Sequence, residues 1–211
     1  MARGRFITVE GIEGTGKSTN IAYLTGLLEA EGFEVVTTRE PGGTPMAEQI
    51  RSLLLDHEQE PVTPDAELLL FFAARSLHLH NRILPALAHG RWVVCDRFTD
   101  ATRAYQGNGR GLDMARIEQL AGWVQAGVEP DLTLLLDAPA EVGMQRTAIR
   151  GTGDRMDNET LAFYQRVRDG YLRLARQHPV RFAVVDASRP LAEVQQTIAA
   201  KLRQFLNDNQ H

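Results

Sequence analysis

Five short runs of this chain, in RFITVE, FEVVTTRE, RWVVCDR, DLTLLLDA and RFAVVDA, are rich in β-branched and aliphatic residues, and three of them are apolar almost without interruption. A strand with one wet face alternates apolar and polar positions. A continuously apolar strand is buried on both faces, which is the situation of a parallel sheet covered by helices on either side. The stretches between the runs carry helical spacing. One reaches about Gly32, another is TPMAEQIRSLLLD, and a long apolar one extends from Thr63 to Gly90. DMARIEQLAGWVQAG follows, then segments near Glu141 to Ile149 and Thr160 to Gln177, and a last one from Pro190. This alternation predicts an α/β fold, a doubly wound parallel five-stranded sheet flanked by helices on both faces. No internal repeat, low-complexity tract or Pro/Ser-rich linker divides the 211 residues, so residues 1–211 are expected to form a single domain. Three segments are expected to be irregular and to overhang the carboxyl edge of the sheet, where ligands bind in such folds: Pro41–Thr44, Gln106–Gly111 and Gly151–Asn158.

The formal charge of −4 comes with no clustered basic face, which argues against nucleic acid or an anionic membrane as a partner. No apolar run approaches the ~18 residues of a membrane span, and MARGRFITVEG has no signal-peptide pattern, so a cytoplasmic protein is expected. Cys95 is the single cysteine; it reads as a small buried hydrophobe and excludes an internal disulfide. His78 and His80 stand two apart on a helical stretch, cannot share a metal there, and are expected at the surface.

The strand FITVE is followed by Gly11, Ile12, Glu13, Gly14, Thr15, Gly16, Lys17, Ser18 and Thr19, which spell G-x-x-x-x-G-K-S just before a helix. This is a phosphate-binding loop in its confirming context. Glycines let the backbone curl so that consecutive N–H groups face phosphate oxygens, and the following helix adds its positive end. Lys17 then reaches the β- and γ-phosphates and the Ser18 hydroxyl is placed to ligate Mg²⁺. Asp96 and Arg97 close the strand RWVVC at the same edge, where a carboxylate can hold the Mg²⁺ shell and an arginine can fork onto a phosphate. Phe71 and Arg75 are four apart and share a face of a helix that is apolar nearly all round, so a buried Arg75 must find a partner.

FITVEGIEGTGKST, TTREPGGTPMAEQIRSLLLD, LLLFFAARSLH, DRFTDATRAYQGNGRG and GTGDRMD occur in order between Phe6 and Tyr164. Together they resemble the bacterial thymidylate kinases, which move a phosphoryl group from ATP to dTMP with Mg²⁺. The resemblance implies that Arg97 binds the acceptor phosphate, and that Arg39, Glu40 and Pro41 form one wall of the monophosphate pocket with Arg51 nearby. It implies that Phe71 stacks on thymine, Arg75 hydrogen-bonds the base edge, Thr102 and Gln106 line the base pocket, and Tyr105 packs beneath the deoxyribose. Glu13 would face the sugar or its metal shell. A lid at about residues 146–158 would bring Arg146, Arg150 or Arg155 to the phosphates, with Arg150 as the catalytic choice, and a homodimer is implied as well.

Read as residues alone, several of these positions also fit plainer roles. Glu13 also fits a solvated loop carboxylate, Asp96 and Arg97 an ion pair capping a strand, and residues 39–44 an ordinary turn. Phe71 also fits simple core with Arg75 snorkelling to the surface, and the lid arginines a solvated helix end. Two other functions share the motif: another pyrimidine nucleoside monophosphate kinase, and a non-enzymatic nucleotide switch. Guanine switches carry an Asn-Lys-x-Asp segment, which this chain lacks.

Overall fold

The structure, a computed structural model, describes residues 3–55, 62–151 and 159–208. Five parallel strands, β1 (Phe6–Glu10), β2 (Val35–Arg39), β3 (Trp92–Asp96), β4 (Leu132–Asp137) and β5 (Phe182–Asp186), form one sheet in the order β2-β3-β1-β4-β5. The phosphate-loop strand is therefore central. Its carboxyl end opens between those of β3 and β4, where the strand order reverses and a ligand crevice forms. β1 and β4 are joined inside the sheet by Thr8 and Thr133, whose buried hydroxyls are 3.0 Å apart.

Helices cover both faces, as the continuous apolar strands require. On one face Ile7, Val9, Val94 and Leu134 pack with Leu24 and Leu28 of α1 (Lys17–Ala30) and Ile198 of the last helix, Leu191–Asp208. On the other, Phe6, Val93 and Cys95 meet Leu79 and Ile83, while Leu135 meets Tyr164, Val167 and Tyr171. The edge strands β2 and β5 are only partly buried, which is why Thr37, Thr38 and Arg39 interrupt the apolar pattern there.

Next along the chain are α2 (Pro45–Leu55) and α3 (Pro64–His78). α3 starts where Thr63 caps it, its hydroxyl accepting from Ala66 N at 3.3 Å, with Pro64 at the first helical position. It runs through a π-helical turn, Leu79–Ile83, into α4 (Leu84–Ala88). After β3 a short helix, α5 (Thr99–Thr102), continues as a π-helix over Arg103–Gly109.

That π-helix corrects one expectation, since residues 106–111 were read as irregular. The Gly-Asn-Gly sequence looks like a turn, but the wide helix is held by Arg110 N on Tyr105 O at 2.9 Å and by the Asn108 side chain on Arg103 O at 2.9 Å. Widening of this kind re-aims side chains and recurs at binding sites. α6 (Met114–Gln125), α7 (Ala140–Arg150), α8 (Leu161–Gln177) and α9 (Leu191–Asp208) complete the described elements.

Candidate active site

A cavity of about 480 Å³ lies over the carboxyl ends of β1, β2 and β3, between the phosphate loop, α3 and the π-helix after α5. Glu13, Gly14, Gly16, Lys17, Ser18 and Thr19 line one end. Arg39, Glu40, Pro41 and Arg51 form a side wall. Phe71 and Arg75 from α3, and Thr102, Tyr105 and Gln106 from the opposite side, enclose the other end, with Asp96 and Arg97 between. Leu55, Phe98 and Ala101 also line it, three residues with no signal beyond their closeness to named ones.

Other expected residues stand behind the lining. Ile12 points into the core beside Ala104 and Leu135, and the Thr15 hydroxyl donates to its carbonyl at 2.8 Å, fixing the curl of the loop. Gly14, at φ +74, touches α7 backbone to backbone: a Cβ on Gly14 would lie 2.1 Å from Gly143 O, and one on Gly143 would lie 2.6 Å from Glu13 O. Arg146 does not line the cavity. Its Nη1 donates to Ala187 O at 2.9 Å and Gly14 O at 3.5 Å, so the structure holds it at the back of the loop. Arg155 and the side chain of Arg150 lie outside the described residues.

The phosphate end is a dense set of charges. Lys17 Nζ bends over the loop and donates to Gly11 O and Ile12 O, each at 3.0 Å. Arg97, in the left-handed region at φ +69, donates from Nη2 to Glu13 Oε1 at 2.5 Å and to the Tyr105 hydroxyl at 3.0 Å. Tyr105 in turn donates to Glu13 Oε2 at 2.6 Å. Burial, and after it the neighbouring Arg97 charge, lower the Lys17 ammonium to about 8. Burial alone would raise the Glu13 carboxyl, but Arg97 and Lys17, with the Tyr105 hydroxyl, outweigh it and hold Glu13 below the usual carboxylate range. Asp96 Oδ1 and Arg97 Nε are buried and have no hydrogen-bond partner among the described residues. An unpartnered acceptor beside an unpartnered donor is a surface prepared for a cation and an anion together.

Beneath this end sits Glu10, fully buried, a residue that the sequence reading passed over. One oxygen accepts from Phe98 N and the other from the Tyr171 hydroxyl, both at 2.7 Å, so it supports the backbone just after Arg97. Burial, reinforced by nearby Asp100, pushes its carboxyl up to about 8. The available signal was a carboxylate ending an otherwise apolar central strand.

At the other end Arg75 is 2% exposed and donates from Nε to Glu40 Oε2 at 2.7 Å and from Nη2 to Thr102 Oγ1 at 3.0 Å. Its guanidinium carbon lies 4.9 Å from the Phe72 ring centre and 5.2 Å from that of Phe98. Nη1 is buried and, among the described residues, unpartnered. Gln106 donates to buried Glu67 at 3.0 Å. Arg39 forks onto Glu48 at 3.0 and 2.7 Å, and Arg51 donates to Pro41 O at 2.9 Å, so both brace the Arg39–Thr44 turn. His78 was expected at the surface and is instead fully buried, bonded to Glu40 and Thr38, whereas His80 is exposed as expected. The cause is its place three residues after Arg75, on the inward face of α3.

The family model for thymidylate kinase matches residues 9–198. The chain is 60% identical over 208 residues to the thymidylate kinase of Chromohalobacter salexigens, covering 98% of each chain. It is 54% identical over 206 residues to that of Methylococcus capsulatus, again 98% of each, and 52% identical over 203 residues to that of Teredinibacter turnerae, 96% of this chain and 99% of the relative. With a phosphate loop, a cationic middle and a buried base-sized end in one cavity, and with similarity over nearly its whole length, the chain belongs to the thymidylate kinase family.

Proposed function

We infer that this protein transfers the γ-phosphoryl group of ATP to dTMP, giving ADP and dTDP. The observation that carries the reading is that Lys17 and Arg75 line the same cavity, one at the phosphate loop and one at a closed end whose free donor suits a base carbonyl. The acceptor oxygen belongs to a phosphate that is already anionic near neutral pH, so the step needs no protein nucleophile and no strong base. It needs two anions brought in line and their charge balanced. Lys17 leaves its two backbone carbonyls for the β- and γ-phosphates, and Arg97 turns from Glu13 to the dTMP phosphate through its unpartnered Nε. In this reading Tyr105, held by Glu13, is the floor under the sugar at the place where a ribose 2′-hydroxyl would project.

Mg²⁺ fits the residues present. It takes few protein ligands when phosphates and water supply the rest, and among the described residues no cluster of three or more His, Cys, Asp or Glu forms a dedicated cage. Ser18 and the unpartnered Asp96 Oδ1 would hold it, directly or through water. Bound there, it supplies charge neutralisation across the transferred group. The lid at about residues 146–158, with Arg150 as its acting residue, remains part of the reading, and most of it lies outside the described residues.

A homodimer is supported by Leu53, Leu69 and Trp123, exposed on α2, α3 and α6, with Trp123 82% exposed; sedimentation as a monomer overturns that part. No described helix is long and apolar enough to cross a membrane. The reading puts the enzyme in the cytoplasm with its charged substrates. A coupled assay for ADP release with ATP and Mg²⁺ tests the whole. Turnover dependent on dTMP and not on UMP is expected, and ATP hydrolysis indifferent to any monophosphate defeats the reading.

A further inference from the structure

His78 touches no lining surface of the cavity, yet it is completely buried at the end of a short chain of polar groups that leads into it. Its Nδ1 lies 2.9 Å from Glu40 Oε1 and its Nε2 lies 2.7 Å from the Thr38 hydroxyl. An ionised carboxylate only accepts, so Nδ1 carries the proton and the Thr38 hydroxyl fixes the ring from the other side. The other Glu40 oxygen takes Arg75 Nε, Thr102 takes Nη2, and Phe72 and Phe98 flank the guanidinium. Two of the three guanidinium nitrogens are thus taken. The remaining donor, Nη1, is buried without a partner.

An arginine beside a lone carboxylate has a better option than one bond: it forks, placing two parallel N–H groups on the two oxygens. Arg75 does not fork onto Glu40: Nη2, which shares the guanidinium edge with Nε, is drawn to Thr102, while His78 holds the second carboxylate oxygen. The imidazole is itself walled in. Above it runs the Arg39–Thr44 turn, where Gly43 stands at φ +85, and a Cβ there would fall 2.5 Å from the His78 ring. A side chain on Gly43 would displace the ring, and a displaced ring would release the carboxylate.

We propose that His78 is a specificity-determining positioning residue: by holding one oxygen of Glu40 it fixes that carboxylate, and through it the guanidinium of Arg75, so that the free donor Nη1 keeps its place for the base carbonyl. The proposal rests on the reading that Arg75 reads the base edge. Cytosine puts an amine where thymine puts its carbonyl oxygen, and a fixed donor facing an amine is left buried and unpaired. A guanidinium whose supporting carboxylate can turn loses that fixed direction and discriminates less between the two bases. His78 therefore acts on the choice of substrate and little on the transfer step, which takes place at the far end of the cavity.

The test is kcat/KM for dTMP and for dCMP, with melting temperature measured alongside, on the wild type, His78→Leu, His78→Asn and Arg75→Ala. His78→Leu keeps volume and loses the donor. It is expected to lower the dTMP/dCMP ratio about ten- to hundredfold, the range of one hydrogen bond to a charged group, mainly through a higher KM for dTMP. His78→Asn places an amide nitrogen near Nδ1 and is expected to restore most of the ratio. A merely structural histidine would lower stability and scale both substrates alike. A folded His78→Leu variant with an unchanged ratio, while Arg75→Ala collapses it, overturns the role of His78 and leaves the reading of Arg75 standing. An unchanged ratio in Arg75→Ala overturns both. If His78→Leu does not fold, the isosteric Thr38→Val replaces it: a shift in the same direction supports the proposal, and an unchanged ratio overturns it.

Discussion

The two ends of the cavity hold their arginines in opposite ways. At the phosphate end, Lys17 rests on backbone carbonyls and Arg97 on Glu13 and Tyr105, and burial, with the nearby Arg97 charge after it, depresses the Lys17 ammonium. At the base end, Arg75 is balanced by one carboxylate and clamped between two rings. The first arrangement carries charge that an incoming phosphate relieves, and every contact there can be exchanged for one to the substrate. The second is already satisfied except at a single donor. On the proposed reading, rate falls to groups that change partners and selectivity to groups that cannot.

The sharpest way to break this contrast is Lys17→Ala. Removing one preorganised charge facing the transferred group is expected to lower kcat by about 10²–10³ without loss of folding, and single-turnover kinetics near the wild-type rate would remove Lys17 from the chemistry. Arg97→Ala should cost about 10² in kcat/KM for dTMP, part of it because Glu13 is left as an unpaired carboxylate facing the acceptor phosphate. Adding Glu13→Gln should then recover some activity; a double variant no better than the single one would place Glu13 outside that interaction.

At the base end the effects are smaller. dUMP, which lacks only a methyl group, should be used about 10–200-fold less well than dTMP, and equal kcat/KM for the two would mean that the pocket around Phe71 does not enclose the ring.

Glu10 under the Arg97 turn has the smallest expected effect on turnover, and its effect appears in stability. With its carboxyl raised from 4.5 to about 8, the folded state keeps a proton that the unfolded chain releases. That contribution is complete below pH 4.5 and fades as pH rises towards 8. Glu10→Gln lacks the slope, so its melting temperature relative to wild type should climb between pH 5 and 8. Lys17, lowered to about 8, gives an opposite slope only above that window. A constant difference across pH 5–8 would mean that Glu10 is ionised in the folded protein.

How much of this was readable in the sequence depended on whether the cause was local. The loop from Gly11 to Ser18 is a backbone shape written in consecutive residues, and the central strands announce their two buried faces through uninterrupted side chains. Arg75 was half readable: its apolar helix demands a partner, but nothing near it names Glu40, which lies 35 residues away in sequence. His78 was misplaced because its spacing to His80 was weighed, while its spacing of three from Arg75 carries the structural meaning. The Gly-Asn-Gly stretch reads as irregular because two glycines within three residues carry no helical signal, and the π-helix there is held by hydrogen bonds that the sequence does not spell out.

The bare contact between Gly14 and Gly143 has a consequence for how this protein can evolve. Neither position accepts so much as a methyl group, since a carbon on Gly14 would run into Gly143 O and one on Gly143 into Glu13 O. Drift at one cannot be compensated at the other, because both changes add bulk to the same seam. The curve of the loop is therefore inherited unchanged, and variation is left to residues away from this seam.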